Sequence, residues 1–440
     1  MLKTDSKIIC ENWNMIVEQK LKAGYKKVEG ALPKGWTAKR LKEVIKNIGD
    51  GGTPSRSKEE YFVGHIPWAV VEDIKREILD TKEHLSDKGL KYSSAKLWPE
   101  NSVILSFGAT IGEVGIARVP VATKQGIAGI VPNPEYTTSE FLYYLLKFNK
   151  NLLIRYSHKS TIAEVRPPTL VELAFPFPPL VEQQKIASIV WSVDEAIQKA
   201  EETIAKAQEL KKALMQQLLI KGIGHKKFKK TKIGEIPEEW EVVKLGDVLV
   251  DIRYGTSTKS NTAKQGFPVL RTPNVLSGEI DINDLQWVQL PESEMKSLIL
   301  EDGDLLTVRT NANPDYIGRC ALFERMSGTW TYASYLIRLR PNKKKVVPTY
   351  LGKYLGTKTA RRGFFRIART SAGNYNINTK RIKSISIPLP PLHEQQEIVE
   401  ILQVVDENIK KEKQRKYQHE ILKKGLMQDL LTGKVRVKVN

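Results

Sequence analysis

Cysteine is almost missing from this chain of 440 residues, which carries two, Cys10 and Cys320, far apart in sequence. Two cysteines so placed cannot build a disulfide framework, and neither has the neighbours of a zinc site, so a reducing compartment is the expected setting. Long apolar runs are missing too. Nothing approaches the roughly 18–20 unbroken apolar residues that a membrane helix needs. The opening, Met1-Leu-Lys-Thr-Asp-Ser-Lys7, has no long apolar core behind a basic head, so it does not read as a secretory leader. A cytoplasmic protein with no membrane partner is expected, in keeping with 27% charged residues and a mean hydropathy of −0.35.

The usual marks of catalysis are also lacking. No Gly-x-x-x-x-Gly-Lys-Ser/Thr phosphate loop occurs, and His65, His84, His158, His225, His393 and His419 are scattered without ligand spacing. Asn133-Pro-Glu-Tyr136 and Asn313-Pro-Asp-Tyr316 come near the Asn-Pro-Pro-Tyr loop that holds a flipped adenine. In both an acid replaces the second proline, and no glycine-rich strand-to-helix cofactor loop accompanies them. Asn-Pro is an ordinary turn starter. Pro314-Asp315 has no downstream Glu-x-Lys of a metal nuclease. The expectation is a chain with no catalytic residue, no metal and no cofactor of its own.

What is abundant is positive charge. Seventy Lys and Arg against fifty Asp and Glu give a net charge of +20. Such an excess favours a polyanionic partner through phosphate neutralisation and counterion release, although a basic surface also serves solubility alone. With 41% hydrophobic residues, the chain can also bury sizeable cores.

The strongest signal is an internal repeat. Pro176-Phe-Pro-Pro-Leu-Val-Glu-Gln-Gln-Lys-Ile186 recurs 212 positions on as Pro388-Leu-Pro-Pro-Leu-His-Glu-Gln-Gln-Glu-Ile398. The match runs without a gap to Leu218-Leu219 and Leu430-Leu431. A second echo pairs Gly30-Ala-Leu-Pro-Lys-Gly-Trp36 with Gly234-Glu-Ile-Pro-Glu-Glu-Trp240, and Tyr25-Lys26-Lys27 with Phe228-Lys229-Lys230. The blocks between, 45–175 and 249–387, share only a faint hydrophobic rhythm. Similar frames around divergent centres imply one scaffold with two specificities.

After each Pro-Pro pair, which cannot sit inside a helix, apolar residues step in threes and fours. In the first copy the stripe is Ile186, Val190, Val193, Ile197, Ile204, Leu214 and Leu218, broken by Lys211. In the second it is Ile398, Leu402, Val405 and Ile409, then a polar stretch from Glu412 to Glu420, then Leu422, Leu426 and Leu430. About 40 helical residues would span roughly 60 Å. Such stripes are expected to pack on each other as an antiparallel pair.

The blocks between read as mixed α/β. Ser102–Ser106, Ile127–Val131, Asp304–Val308 and Tyr335–Leu339 have strand character, and Phe141–Leu146 and Tyr350–Leu355 follow turn signals as helices. Polar, glycine-rich loops offer contacts to nucleic acid: Arg and Asn or Gln suit guanine and adenine edges, while Lys and hydroxyls suit phosphates. The candidates are Arg56, Lys58, Lys124, Gln125 and Lys159 in the first block. In the second they are Tyr254, Lys259, Arg271, Asn274, Arg309, Asn311, Arg369 and Asn374. The lysine-rich run Lys221–Lys232 is either a phosphate contact or a solvated tether.

The duplicated Pro-x-Pro-Pro-Leu-x-Glu-Gln-Gln-x-Ile segment and the Leu-Pro-x-x-Trp and Ile-Pro-x-x-Trp openings resemble the specificity subunits of type I restriction–modification systems, over essentially the whole chain. The resemblance implies an α/β protein with two mixed α/β target-recognition domains, joined by two long helices in an antiparallel coiled coil with an internal pseudo-two-fold repeat. It implies a helical segment at 1–24, with 11–23 packed near the C-terminal end, and recognition domains at 25–175 and 223–387. It further implies a central helix at 176–222 and a C-terminal helix and tail at 388–440. Each recognition domain would read half of a bipartite site in double-stranded DNA. The helices would set the gap and dock two methylation subunits carrying S-adenosylmethionine. Restriction subunits using ATP and Mg would join them. A recognition subunit for a fused nuclease–methyltransferase is a close variant. The contrasting possibility is a tandem coiled-coil scaffold that binds proteins without DNA specificity.

Overall fold

The computed structural model describes residues 32–108, 110–157, 167–371 and 373–438. The expected N-terminal helical segment, 1–24, and Lys159 lie outside the described residues. The chain divides into two compact units, Met1–Ala200 with Arg415–Asn440, and Glu201–Gln414. Each unit therefore owns one end of each long helix, Leu180–Lys221 and Leu392–Leu431.

Each globular part is built on the same plan despite the weak sequence likeness. In the first unit a five-stranded sheet runs Ile45–Asp50, Ile127–Pro132, Val103–Ser106, Val114–Ala117, Glu77–Ile78. The second unit repeats the first four places with Leu249–Tyr254, Leu336–Pro341, Leu305–Val308 and Cys320–Leu322. A second sheet in each contains a parallel pair, Ile66–Ala69 with Val121–Thr123 and Phe267–Leu270 with Thr331–Tyr332. One helix covers each main sheet: Ser139–Phe148, whose first turn is capped by the Thr138 hydroxyl accepting from Phe141 N at 3.2 Å, and Pro348–Leu355. Phe141 and Leu142 in one helix, Tyr350 and Leu351 in the other, are wholly buried.

The two sequence echoes meet at the root of each unit. The strand after the tryptophan pairs with the strand before Pro-Pro: Thr37–Arg40 with Ala174–Phe177, and Glu241–Lys244 with Ser386–Leu389. The helix then starts at Leu180 or Leu392, and the Glu-Gln-Gln run turns inward. Trp36 Nε1 donates to Glu182 at 3.1 Å, and Trp240 Nε1 donates to Glu394 at 2.8 Å. Gln183 Nε2 donates to the Pro178 and Tyr136 carbonyls at 2.9 and 2.8 Å. Gln395 does the same to the Pro390 and Lys345 carbonyls, at 2.8 and 3.3 Å. Glu182 and Glu394 are 2% and 5% exposed, so each needs further donors. Arg436 supplies two to Glu182 at 2.6 and 2.8 Å. Ile223 N and His225 Nε2 meet Glu394 at 3.0 and 2.8 Å. The segment that follows one helix thus completes the root built on the other helix's first turn.

Within each unit the helix ends pack antiparallel. Ile186 and Val190 share a core with Met427, Leu430 and Leu431, and Leu218 and Leu219 share one with Ile398, Val399 and Leu402. Val193, Ile197, Ile204, Leu214, Val405 and Leu426 are half-buried, and Ile409 is buried. The stripe needs one correction. Leu422 is 49% exposed, and the neighbouring Lys423 points into the seam, reaching Asp194 at 2.5 Å. Lys211, which interrupts the first stripe, is its repeat mate and reaches Asp406 at 2.5 Å. The break in the heptad is thus a reciprocal ion pair, and Leu210 shares the exposed fate of Leu422 at 52%. The same two carboxylates also receive the covering helices, through Tyr144 Oη at 2.8 Å and Lys353 Nζ at 2.6 Å. Burial pushes the Tyr144 hydroxyl far up, so it remains a donor throughout the working pH range.

Burial pushes the Asp406 carboxyl up, but hydrogen bonds from Lys211 and Lys353 outweigh it and hold the group below its ordinary value. A lowered folded pKa gives stability that is present above the unfolded value of about 3.9 and is lost as pH falls through the folded one. Asp406→Asn should therefore cost about 1–2 kcal/mol near neutrality, with the deficit shrinking below pH ~4. Denaturant titrations at pH 7 and pH 3 check this. Glu394→Ala, which strands the Trp240 and Ile223 donors, should cost more, about 3–5 kcal/mol.

Candidate nucleic-acid interface

The loops at one end of each main sheet are tied together by matching backbone hydrogen bonds. Gly51 N donates to the Ile127 carbonyl at 3.0 Å, and Gly255 N to Leu336 at 3.4 Å. Gly52 N donates to Thr123 at 2.8 Å, and Thr256 N to Tyr332 at 3.0 Å. Phe107 N donates to Gly126 at 3.0 Å, and Arg309 N to Tyr335 at 2.9 Å. Segments 50–58, 106–113 and 123–127 of the first unit thus take the places of 254–260, 308–319 and 332–336 in the second. Glycine is required where the first loop leaves the sheet. A Cβ on Gly51 would lie 2.1 Å from the Thr123 carbonyl oxygen, and one on Gly255 would lie 2.2 Å from that of Tyr332.

In the first unit this constellation gathers Arg56, Lys58, Lys124 and Gln125. The Arg56 guanidinium lies over Phe62 and Trp68, 4.3 and 5.2 Å from their ring centroids. It forks onto both oxygens of Glu83 at 2.6 and 2.7 Å. That hydrogen bond holds Glu83 below its ordinary pKa, and the Lys124 charge adds to the effect. Lys58 donates to the Tyr61 hydroxyl at 3.0 Å. Lys124 and Gln125 stand exposed on the turn before Gly126, whose N–H is fastened to Asp50 Oδ1 at 2.8 Å.

The second unit also carries a small three-stranded sheet. Thr310–Asn311 pairs with Asn374–Asn376, which pairs in turn with Arg369–Ser371. Four candidates far apart in sequence, Arg309, Asn311, Arg369 and Asn374, are thereby brought to one place. Tyr254 stands beside them: its hydroxyl accepts from Thr379 N at 3.2 Å, and Arg309 lies over its ring. Asn311 caps its own turn by accepting from Asn313 N at 2.9 Å. Arg369, Asn374 and Lys259 are exposed. Arg271, after the strand Phe267–Leu270, is tethered to Asp284 at 2.8 Å.

Asn274 is a correction. It is 1% exposed, with Oδ1 accepting from Arg271 N at 2.8 Å and Nδ2 donating to the Asp281 and Asp284 carbonyls at 2.8 and 3.2 Å. Its amide is fully used in closing a turn and has nothing left for a base. The run Lys221–Lys232 is no tether, because Phe228–Thr231 pairs with Gly234–Pro237 as a hairpin. Both Asn-Pro tetrapeptides are side-chain-capped turns, Asn133 accepting from Glu135 N at 3.2 Å and Asn313 from Asp315 N at 2.9 Å. Apart from Tyr254, the sequence candidates include no aromatics. Tyr335, 60% exposed, sits in the turn below Arg309, and Phe365, 58% exposed, lies 6.3 Å from Tyr375. Loop aromatics in a basic chain were the available signal, since base stacking uses them. Among the described residues, no helix is long and apolar enough to cross a membrane, and no cluster of His, Cys, Asp or Glu is placed to hold a metal.

Two units of like topology, each bearing a polar loop cluster and each rooted on a shared helix pair, define a tandem recognition protein. The family model described as the type I restriction modification DNA specificity domain matches twice, at residues 33–211 and 237–419, and the chain belongs to that family. The putative type I restriction enzyme MjaX specificity subunit of Methanocaldococcus jannaschii is 36% identical, over 94% of this chain and 97% of the relative. The EcoKI specificity subunit of Escherichia coli is 28% identical, over 84% and 82%. Among solved structures, the S subunit of a type I restriction–modification system from M. genitalium shares the fold. Its TM-score is 0.57 at 15% identity, over 94% of this chain and 99% of that one.

The glycine argument gives a paired prediction. Gly51→Ala and Gly255→Ala should each destabilise their own unit by about 1–3 kcal/mol. Hydrogen exchange should accelerate in 123–127 for the first variant and in 332–336 for the second, with the other unit unchanged.

Proposed function

We propose that this chain is the DNA-reading subunit of a type I restriction–modification complex and carries no catalysis of its own. The first unit reads one half of a bipartite site in double-stranded DNA, and the second unit reads the other. The long helices set the gap and hold two methylation subunits, which bring S-adenosylmethionine and the adenine chemistry. Restriction subunits bring ATP, Mg and cleavage. The setting is the cytoplasm.

The observation that carries this reading is the matched loop constellation. One backbone frame, repeated, presents Arg56, Lys124 and Gln125 in one copy and Lys259, Arg309 and Asn311 in the other. That is what two readers of different sequence on one scaffold require. A +20 chain supplies the phosphate attraction.

The test is the methylation map of DNA from cells expressing the chain with its methylation subunit. A split motif, lost when this chain is omitted, is expected. Binding by the purified complex should fall with log salt by about 0.9 per phosphate neutralised. A salt-insensitive interaction would instead indicate a protein scaffold. Removing seven residues from each long helix should change the gap and leave both half-sequences alone; an unchanged gap would overturn the spacing role.

A further inference from the structure

The loop arginines of the second unit differ in how they are held. Arg271 is tied to the Asp284 carboxylate and carbonyl at 2.8 and 3.2 Å. Arg319 donates to the Asp315 and Leu276 carbonyls at 3.0 and 2.8 Å. Arg340 is forked onto Asp304, with both nitrogens at 2.8 Å. Arg309 has no acid among the described residues. Its guanidinium rests 4.6 Å from the Tyr254 ring centroid, and Nη1 donates to the Ser334 carbonyl at 3.2 Å. Its Nε is enclosed and has no acceptor among the described residues.

An enclosed donor without a partner is costly. Arg271 Nε and Arg338 Nε are enclosed in the same way, but each of those guanidiniums keeps a carboxylate on Nη2, Asp284 at 2.8 Å and Asp251 at 2.5 Å. Arg309 keeps none among the described residues. Instead the planar group is laid flat on a tyrosine whose own hydroxyl is fixed by Thr379 N. Stacking restrains the face of the guanidinium. Nη1 has given one hydrogen to Ser334 and Nε is enclosed, so what is left for a ligand is the outer edge formed by the second Nη1 hydrogen and Nη2. A planar edge with two N–H donors matches a pair of in-plane acceptors, and in the major groove guanine offers such a pair at O6 and N7. The backbone of Arg309 is locked on both sides: its N–H goes to Tyr335, and its carbonyl accepts from Ile377 N at 3.0 Å. The side chain therefore projects from a rigid point. In the first unit the matched position is Phe107, 2% exposed and without a donor.

We propose that Arg309 reads a guanine in the half-site recognised by the second unit, with Tyr254 as the shelf that presents its guanidinium, and that the first unit reads nothing from the equivalent place. This rests on the DNA-reading assignment above.

The test uses the chain assembled with its methylation subunits and compares methylation maps for the natural sequence, Arg309→Ala and Arg309→Gln. With Arg309 present, the motif should hold a guanine in one half. Arg309→Ala should relax preference at that one position by roughly 5- to 150-fold, leaving the other half and the gap untouched. Arg309→Gln should keep the fold and move preference at the same position toward adenine, whose N6 and N7 suit a carboxamide. An unchanged motif in both variants would overturn the assignment, as would loss of preference at a base other than guanine. If Arg309→Ala melts early, the glutamine variant decides alone. Absence of any split motif with the natural sequence would remove the underlying DNA reading rather than the role of Arg309 within it.

Discussion

A buried carboxylate at the first turn of each long helix is the interaction on which the remaining architecture depends. Glu182 and Glu394 sit where water cannot reach them, and an enclosed carboxylate persists only when donors surround it. Those donors come from places far apart in the chain: the indole at the head of each globular part, and the segment that follows the other long helix. A charge that must be satisfied thus forces the strand pair, the helix start and the crossing segment to assemble together. This explains why the Leu-Pro-x-x-Trp and Glu-Gln-Gln elements are both repeated: they are two halves of one junction.

The second constraint sits along the helix pair. Asp194 and Asp406 each take a lysine from the opposing helix and a hydrogen bond from the helix covering the sheet. An apolar seam alone tolerates sliding by a heptad, whereas a half-buried ion pair in each unit does not, because a slipped register leaves a charge unpaired. The polar interruptions in the seam therefore specify register while contributing little net stability.

The loop clusters follow a different logic. The frame beneath them is held by backbone hydrogen bonds and by two glycines that no other residue can replace. Its side chains are free to differ, so Phe107 stands where Arg309 stands, and Asp50 where Tyr254 stands. Such a frame lets loop side chains change without disturbing the junction or the seam.

Sequence alone determined the repeat, the two long helices and the family, because these rest on local patterns: prolines before a helix, heptad spacing, and a motif that survives duplication. It also named loops that the fold does bring together, since Arg, Asn and Gly in polar stretches are visible without coordinates. Tertiary structure decided which of those side chains are available. Asn274 and Arg309 are both polar loop residues in the sequence, yet one amide is spent closing a turn and the other group is laid half-buried on a ring, because hydrogen-bond partners are assigned by segments remote in sequence. The same holds for Leu422 and Lys423. Hydropathy favoured the leucine for the seam, but the carboxylate of Asp194 across the helix pair selected the lysine.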